Sequence, residues 1–355
     1  MKIVVNALFL TQKITGVQRY AIEISKELKK LFKDDIKFVA PRNIIHHELA
    51  EYLNAEVTGN FTGLLWEQAE LPFYLSKHKN HLLLNMRNTA PLFFPKNIVV
   101  LHDLIFMKNK YRFSKKFLPV YRFCTPFLLK NALKIITVSN FSKQDIIKTF
   151  NTESDKIEVV YNAVSKEFRE HSDKNYENKY GKYLLCVASC LSPGKNLRNV
   201  VEAFNKTDIQ DLKLVIVGQK LKHFSDEKLL SEVESNKNII LTGYVSDSRL
   251  ANLYRNAELF VFPSFYEGFG IPPLEAMSCG CPVITSDVTA LPEVCADAAY
   301  YVNPHEVDEI VFGINKILSN KEIKNELINK GYERVKKFST KDSALKIKEI
   351  IENYL

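Results

Sequence analysis

Two glutamates eight positions apart, Glu267 and Glu275, enclose Gly268-Phe269-Gly270-Ile271-Pro272-Pro273-Leu274. Gly268 and Gly270 let backbone come close to a guest, and Pro272 marks the start of a helix, whose free amides and positive dipole end attract an anion. A phosphate or diphosphate fits that end. Carboxylates beside a phosphate repel it, so Glu267 and Glu275 suit a different task, accepting hydrogen bonds from hydroxyls such as those of a sugar and a ribose. The glycines alone leave packing and phosphate binding equally open. Lys195, in Ser189-Cys190-Leu191-Ser192-Pro193-Gly194-Lys195-Asn196, stands at the start of a further helix and either supplies a point charge to a diphosphate or is a solvated surface lysine. His102-Asp103 closes the apolar run Ile98 to Leu101. The imidazole can donate a hydrogen bond or move a proton near neutral pH, with the aspartate fixing its tautomer or facing a hydroxyl; the plain alternative is a structural strand-end histidine. Gly16 ends a loop from Thr11 and is a candidate ligand loop or a simple helix-entry turn.

Strands and helices must alternate to hold these residues. Leu259 to Phe262 reads as a strand, Pro263-Ser264 breaks it, a helix runs from Pro272 to its stop at Gly280, and Val283 to Thr285 is a second buried strand. The same alternation predicts strands at about Lys2 to Leu8, Ile36 to Ala40, His81 to Asn85, Ile98 to Leu101, Lys134 to Val138 and Ile157 to Val160. After the polar stretch 165–179, which reads as a linker, it predicts strands near Leu184 to Ala188, Leu212 to Val217, Ile239 to Leu241 and Ala299 to Val302. The fold class is therefore α/β, with two doubly wound parallel-sheet domains at 1–165 and 166–355. The terminal helix is a candidate for packing back on the first domain.

The chain has 355 residues, 46% hydrophobic and 25% charged, enough for two ordinary cores. It has no run of about 18 apolar residues, and Met1 to Leu10 reads as a first strand rather than a secretion signal, so a cytoplasmic protein is expected. Six cysteines fall in or beside apolar stretches without metal or redox spacing, and no D-x-D occurs. Net charge is +8; residues 1–165 carry 24 Lys/Arg against 14 Asp/Glu, and residues 166–355 carry 25 against 27, so the excess lies in the first half. Much of it is Lys108, Lys110, Arg112, Lys115, Lys116 and Arg122, interleaved with aromatics such as Tyr121, Phe123 and Phe127. Such a stretch suits an anionic membrane surface; the alternative is an amphipathic helix with solvated lysines. No recognition module accompanies it, so nucleic acid is discounted.

The stretch 262–284, F-P-S-x-x-E-G-F-G-I-P-P-L-E-A-M-x-x-G-x-P-V-I, resembles the E-x(7)-E signature of the family 4 retaining glycosyltransferases. Thr15 to Tyr20 looks like that family's first glycine loop. Leu65-Trp66-Glu67-Gln68, Leu71-Pro72, Asn88-Thr89-Ala90-Pro91, His102-Asp103-Leu104, Thr137 to Ser142 and Val160 to Val164 resemble a bacterial subgroup that builds surface polysaccharides, and Gly243-Tyr244-Val245 agrees in the second half. The resemblance covers nearly the whole chain. It implies the GT-B fold, two Rossmann-like domains facing across a cleft, with the acceptor on the first and a nucleotide diphosphate sugar on the second. Glu275 would hold the ribose, Glu267 and His102 the donor sugar, Tyr244 and Val245 the base, and the backbone of Phe269, Gly270, Ile271, Pro272 and Leu274 the sugar and phosphate. Such enzymes retain anomeric configuration without metal or cofactor; same-face attack would leave catalysis resting on stabilisation of the departing diphosphate. The subgroup implies mannose or rhamnose, from GDP-mannose or a dTDP- or UDP-sugar, moved to a lipid-linked glycan of O-antigen, capsule or lipopolysaccharide at the inner face of the plasma membrane. Ser189 and Gly194 depart from the family, where many members carry an arginine, leaving Lys195 as the cation of its loop. The rival reading is a non-catalytic membrane scaffold with a relic nucleotide cleft.

Overall fold

The apolar runs form two wholly parallel sheets in a computed structural model that describes residues 2–77, 81–108, 117–170, 176–190, 193–219 and 227–355. The chain divides into Met1–Ala163 with Ser339–Leu355, and Val164–Phe338.

The first unit contains β1 (Lys2–Asn6), helix α1 (Gly16–Phe32), β2 (Ile36–Ala40), β3 (Glu56–Val57), β4 (His81–Asn85), β5 (Asn97–Val100), β6 (Lys134–Thr137) and β7 (Ile157–Val159), in spatial order β3-β2-β1-β4-β5-β6-β7. Leu82, Leu83 and Leu84 are all fully buried, which is why β4 is apolar without alternation: helices cover both faces of its sheet. β3 has no counterpart among the expected strands. It is two exposed residues on the sheet edge, too short and too polar to leave a periodic signal.

The second unit contains β8 (Tyr183–Cys190), α2 (Leu197–Lys206), β9 (Lys213–Gln219), β10 (Ile239–Gly243), α3 (Asp247–Asn256), β11 (Leu259–Phe262), α4 (Ile271–Ser278), β12 (Val283–Ser286), β13 (Tyr300–Val302) and α5 (Lys321–Val335). Its spatial order is β10-β9-β8-β11-β12-β13. The chain therefore winds outward from β8 in one direction and from β11 in the other. Burial pushes the Cys186 and Cys295 thiols up to about 12, consistent with thiols that serve as packing groups.

The second unit ends at Phe338 rather than at Leu355. The last helix, α6 (Thr340–Glu352), sets Ala344, Ile347, Ile350 and Ile351 into the core that holds Tyr20, Ala21, Ile24 and Leu28 of α1. Ser343 Oγ donates to Tyr161 O at 2.7 Å, and Tyr354 Oη donates to Leu133 O at 3.3 Å. An apolar stripe says that a helix buries a face, not which sheet receives it.

Candidate active site

In a doubly wound sheet, ligands bind where neighbouring strands send their connections in opposite directions, beyond the strands' carboxyl ends. In the second unit that point lies between β8 and β11. The loop after β8 carries Lys195, and the loop after β11 carries Glu267 and Gly268 and leads into α4.

Lys195 Nζ donates to Glu267 Oε1 at 2.5 Å and lies 4.9 Å from the Phe262 ring centroid. Ser264 Oγ stands 2.6 Å from the same Oε1 and 2.9 Å from Gly194 O. The Glu267 backbone N–H donates to Thr289 Oγ1 at 3.2 Å, and Phe265 N–H donates to Gly194 O at 3.0 Å. The Asn196 amide donates to Pro263 O at 3.0 Å and to Pro304 O at 2.6 Å, and the residue is buried with φ of 57°. The Asn196 amide thus fastens the β8 loop to the β11 loop, and its left-handed backbone is one that asparagine tolerates. Lys195 is also not a solvated surface lysine, because it is buried against a ring and a carboxylate.

Gly270 caps α4 with φ of 96°, and a Cβ there would come within 2.5 Å of Leu291 Cδ2. Pro272 and Pro273 lack N–H groups, so of the amides that a helix start leaves open only those of Gly270 and Ile271 remain at the head of α4. The side chains of Phe269 and Leu274 are buried, Phe269 edge-on to Phe338 at 5.6 Å, so both side chains are taken up by packing. Glu275 is 5% exposed and its Oε2 accepts from Tyr254 Oη at 3.3 Å. Burial, then the charge of Glu275, raises the Tyr254 pKa and keeps the phenol a donor. Beyond β10, Tyr244 is exposed and Val245 buried. Ser189 lies within β8. Sequence reasoning missed Ser264, Thr289 and Tyr254; Ser264 stood inside the signature, three residues before Glu267, and was the one with a signal.

In the first unit the corresponding point lies between β1 and β4, and polar side chains fill it. Asn6 and Asn85, register partners at the two strand ends, share a hydrogen bond of 3.0 Å, and Asn85 donates onward to Asn97 Oδ1 at 3.0 Å. Asn6 Nδ2 also donates to Glu67 Oε2 at 2.9 Å, and Thr89 Oγ1 donates to it at 3.1 Å. Glu67 is fully buried in a π-turn, Trp66–Glu70, and Arg87 Nη1 stands 3.9 Å from its carboxylate. No role was assigned to this network from sequence, although asparagines ending adjacent strands were its signal. Gly16 opens α1 as an exposed first residue with space around it, so nothing local demands glycine there.

His102 is 5% exposed and lies edge-on to Tyr20 with centroids 5.0 Å apart. Its Nε2 is 3.2 Å from Met86 O. A carbonyl only accepts, so Nε2 carries the proton and Nδ1 the lone pair. Burial lowers its pKa from the ordinary 6.5 to about 4, against the opposing pull of the Met86 carbonyl. Near neutral pH the ring is therefore held uncharged, with Nδ1 as its acceptor. Met86, rather than Asp103, holds the Nε2 proton; Asp103 Oδ1 accepts from Ile105 N–H at 3.0 Å. Folding favours the neutral ring, so its stabilisation is complete above about pH 6.5 and is lost as pH falls toward 4. The thermal midpoint of the wild type should fall more steeply across that range than that of His102→Gln; parallel slopes would assign the acid loss to other groups.

Of the basic stretch, Lys110, Arg112, Lys115 and Lys116 lie outside the described residues. Lys108 pairs with Asp145 at 3.2 Å, and Arg122, Phe123 and Phe127 are exposed on the Phe117–Asn131 helix, whose Leu128 and Leu129 are buried. No helix among the described residues is long and apolar enough to cross a membrane.

Two family models match the chain in succession: "Glycosyltransferase Family 4" over residues 14–168 and "Glycosyl transferases group 1" over residues 168–334. O-antigen chain mannosyltransferase B of Escherichia coli is 29% identical over 374 residues, covering 96% of each chain. O-antigen chain mannosyltransferase RfbU of Salmonella typhimurium is 28% identical over 319 residues, 85% of this chain and 87% of the relative. In fold, the chain is similar to Anabaena Alr3699/HepE, crystallised with UDP and glucose, at a TM-score of 0.79 and 19% identity over 99% of this chain and 100% of that one.

Proposed function

Given that this chain belongs to glycosyltransferase family 4, is built on the GT-B fold and is related to O-antigen mannosyltransferases, we propose that it moves a hexose, mannose before rhamnose, from a nucleotide diphosphate sugar to a lipid-linked glycan with retention of configuration. One observation carries the reading. At the switch point between β8 and β11, a buried ammonium and a carboxylate stand together beside the amide end of α4. The ammonium and amides suit the diphosphate, whose growing negative charge is what the reaction must stabilise, and they are fixed before the reaction begins. Glu267 accepts a hydroxyl of the transferred sugar, which orients its anomeric carbon, and Glu275 takes the ribose. On the first unit, His102 offers Nδ1 to the donor sugar. Arg122, Phe123 and Phe127 support contact with the anionic inner face of the plasma membrane, where a lipid-linked acceptor resides.

The test is incubation with GDP-mannose, dTDP-rhamnose and UDP-glucose in turn, with and without a lipid-linked glycan acceptor. Transfer from GDP-mannose with an α-configured product, in metal-chelating buffer, is the expected result. Turnover of no donor with any lipid-linked acceptor would overturn it, and an inverted product would remove the retaining assignment.

A further inference from the structure

Lys195 is the sole Lys or Arg from Ser189 to Asn196, and its ammonium is already committed to Glu267 Oε1 at 2.5 Å. The prolines at 272 and 273 thin out the amides at the head of α4, so a diphosphate there depends heavily on that same ammonium. Two anions thus draw on one cation at a point where neither partner is well solvated, since the Lys195 and Glu267 side chains are 10% and 12% exposed. We propose that the Lys195–Glu267 ion pair is an exchange switch: a nucleoside diphosphate takes Lys195 from Glu267, and the carboxylate so released turns its accepting capacity to the sugar hydroxyl. This rests on the donor-site reading above and goes beyond it, because it makes filling of the diphosphate position and readiness of Glu267 a single event.

The carboxylate keeps its place when the ammonium moves. Its own backbone N–H is held by Thr289 Oγ1, and Ser264 Oγ is 2.6 Å from Oε1. The Ser264 hydroxyl has one proton and three acceptors in reach, Gly194 O at 2.9 Å, Glu267 Oε1 at 2.6 Å and, more weakly, Tyr266 O at 3.5 Å. With the ammonium on Oε1 the proton can serve Gly194 O; with the ammonium gone, it turns to the carboxylate. The exchange also runs backward after transfer, when the remaining diphosphate faces a Glu267 that competes for its cation, which favours product release.

The test is a double-variant cycle read by titration calorimetry, with GDP and UDP each titrated into the wild type, Glu267→Gln, Lys195→Met and the double variant. Glu267→Gln should bind the preferred diphosphate about tenfold more tightly than the wild type, while in the Lys195→Met background the same change should alter affinity less than about twofold. Lys195→Gln repeats the cycle with a polar side chain in case the methionine disturbs folding. Equal tightening in both backgrounds would mean that the carboxylate repels the diphosphate directly, and would overturn the switch while leaving the donor site intact. No tightening in Glu267→Gln would also overturn it. Failure of the wild type to bind either diphosphate would remove the donor site itself, and the switch with it.

Discussion

Glu267→Ala is expected to lower transfer turnover at saturating donor by about 10² to 10³-fold, with a thermal midpoint that moves by only a few degrees. The size follows from what the carboxylate does: a charge-assisted hydrogen bond that positions the reacting sugar is worth more in the transition state than in the ground state, so its loss appears in kcat rather than in KM. Stability changes little by comparison, because Glu267 is on a loop and its removal leaves Lys195 a neighbour in the Phe262 ring. Initial-rate measurements over a donor series separate the two constants. Turnover within threefold of the wild type would take the carboxylate out of the reaction.

Gly218→Ala is expected to have the largest effect on stability. Gly218 lies on β9 beside β8, and a Cβ there would sit 1.8 Å from the carbonyl oxygen of Ala188, a backbone atom that can yield only if β8 itself shifts. Overpacking of this kind costs about 3 kcal/mol, and for a unit of this size that lowers the thermal midpoint by roughly 10 °C. Because Ala188 is followed by the loop that carries Lys195, the same shift should weaken nucleotide binding even at temperatures where the unit remains folded. A thermal midpoint within 2 °C of the wild type, measured by calorimetry, would show that β8 and β9 have slack that the static geometry hides.

Both units could be read in outline from apolar runs because parallel strands covered on both faces are apolar throughout, and β4 at His81–Asn85 matches its expected bounds. The glutamate signature was equally legible, since proline, glycine and acid at fixed offsets describe a local structure. Contacts between distant segments were not. Lys195 and Glu267 are 72 positions apart, and no periodicity in either segment says that the two charges meet. Lys195 therefore read as a phosphate ligand or a surface residue, and its pairing with Glu267 came only with the sheet order that brings β8 beside β11. The buried Asn6–Asn85–Asn97 ladder was hidden for a related reason: Asn6 and Asn85 lay within expected strands, but neither run says which strands stand side by side or in what register. His102 shows a third limit, because a pKa near 4 depends on burial that a strand-end position does not reveal.

The membership of α6 in the first unit has a consequence for biosynthesis. Ala344, Ile347, Ile350 and Ile351 leave the ribosome only after all of Val164–Phe338 has been made, yet they complete the core against α1. The second unit has its whole sequence available to it first, so the order of maturation runs against the order of translation. The early segment must wait with an uncovered greasy flank, the kind of exposure that recruits chaperones.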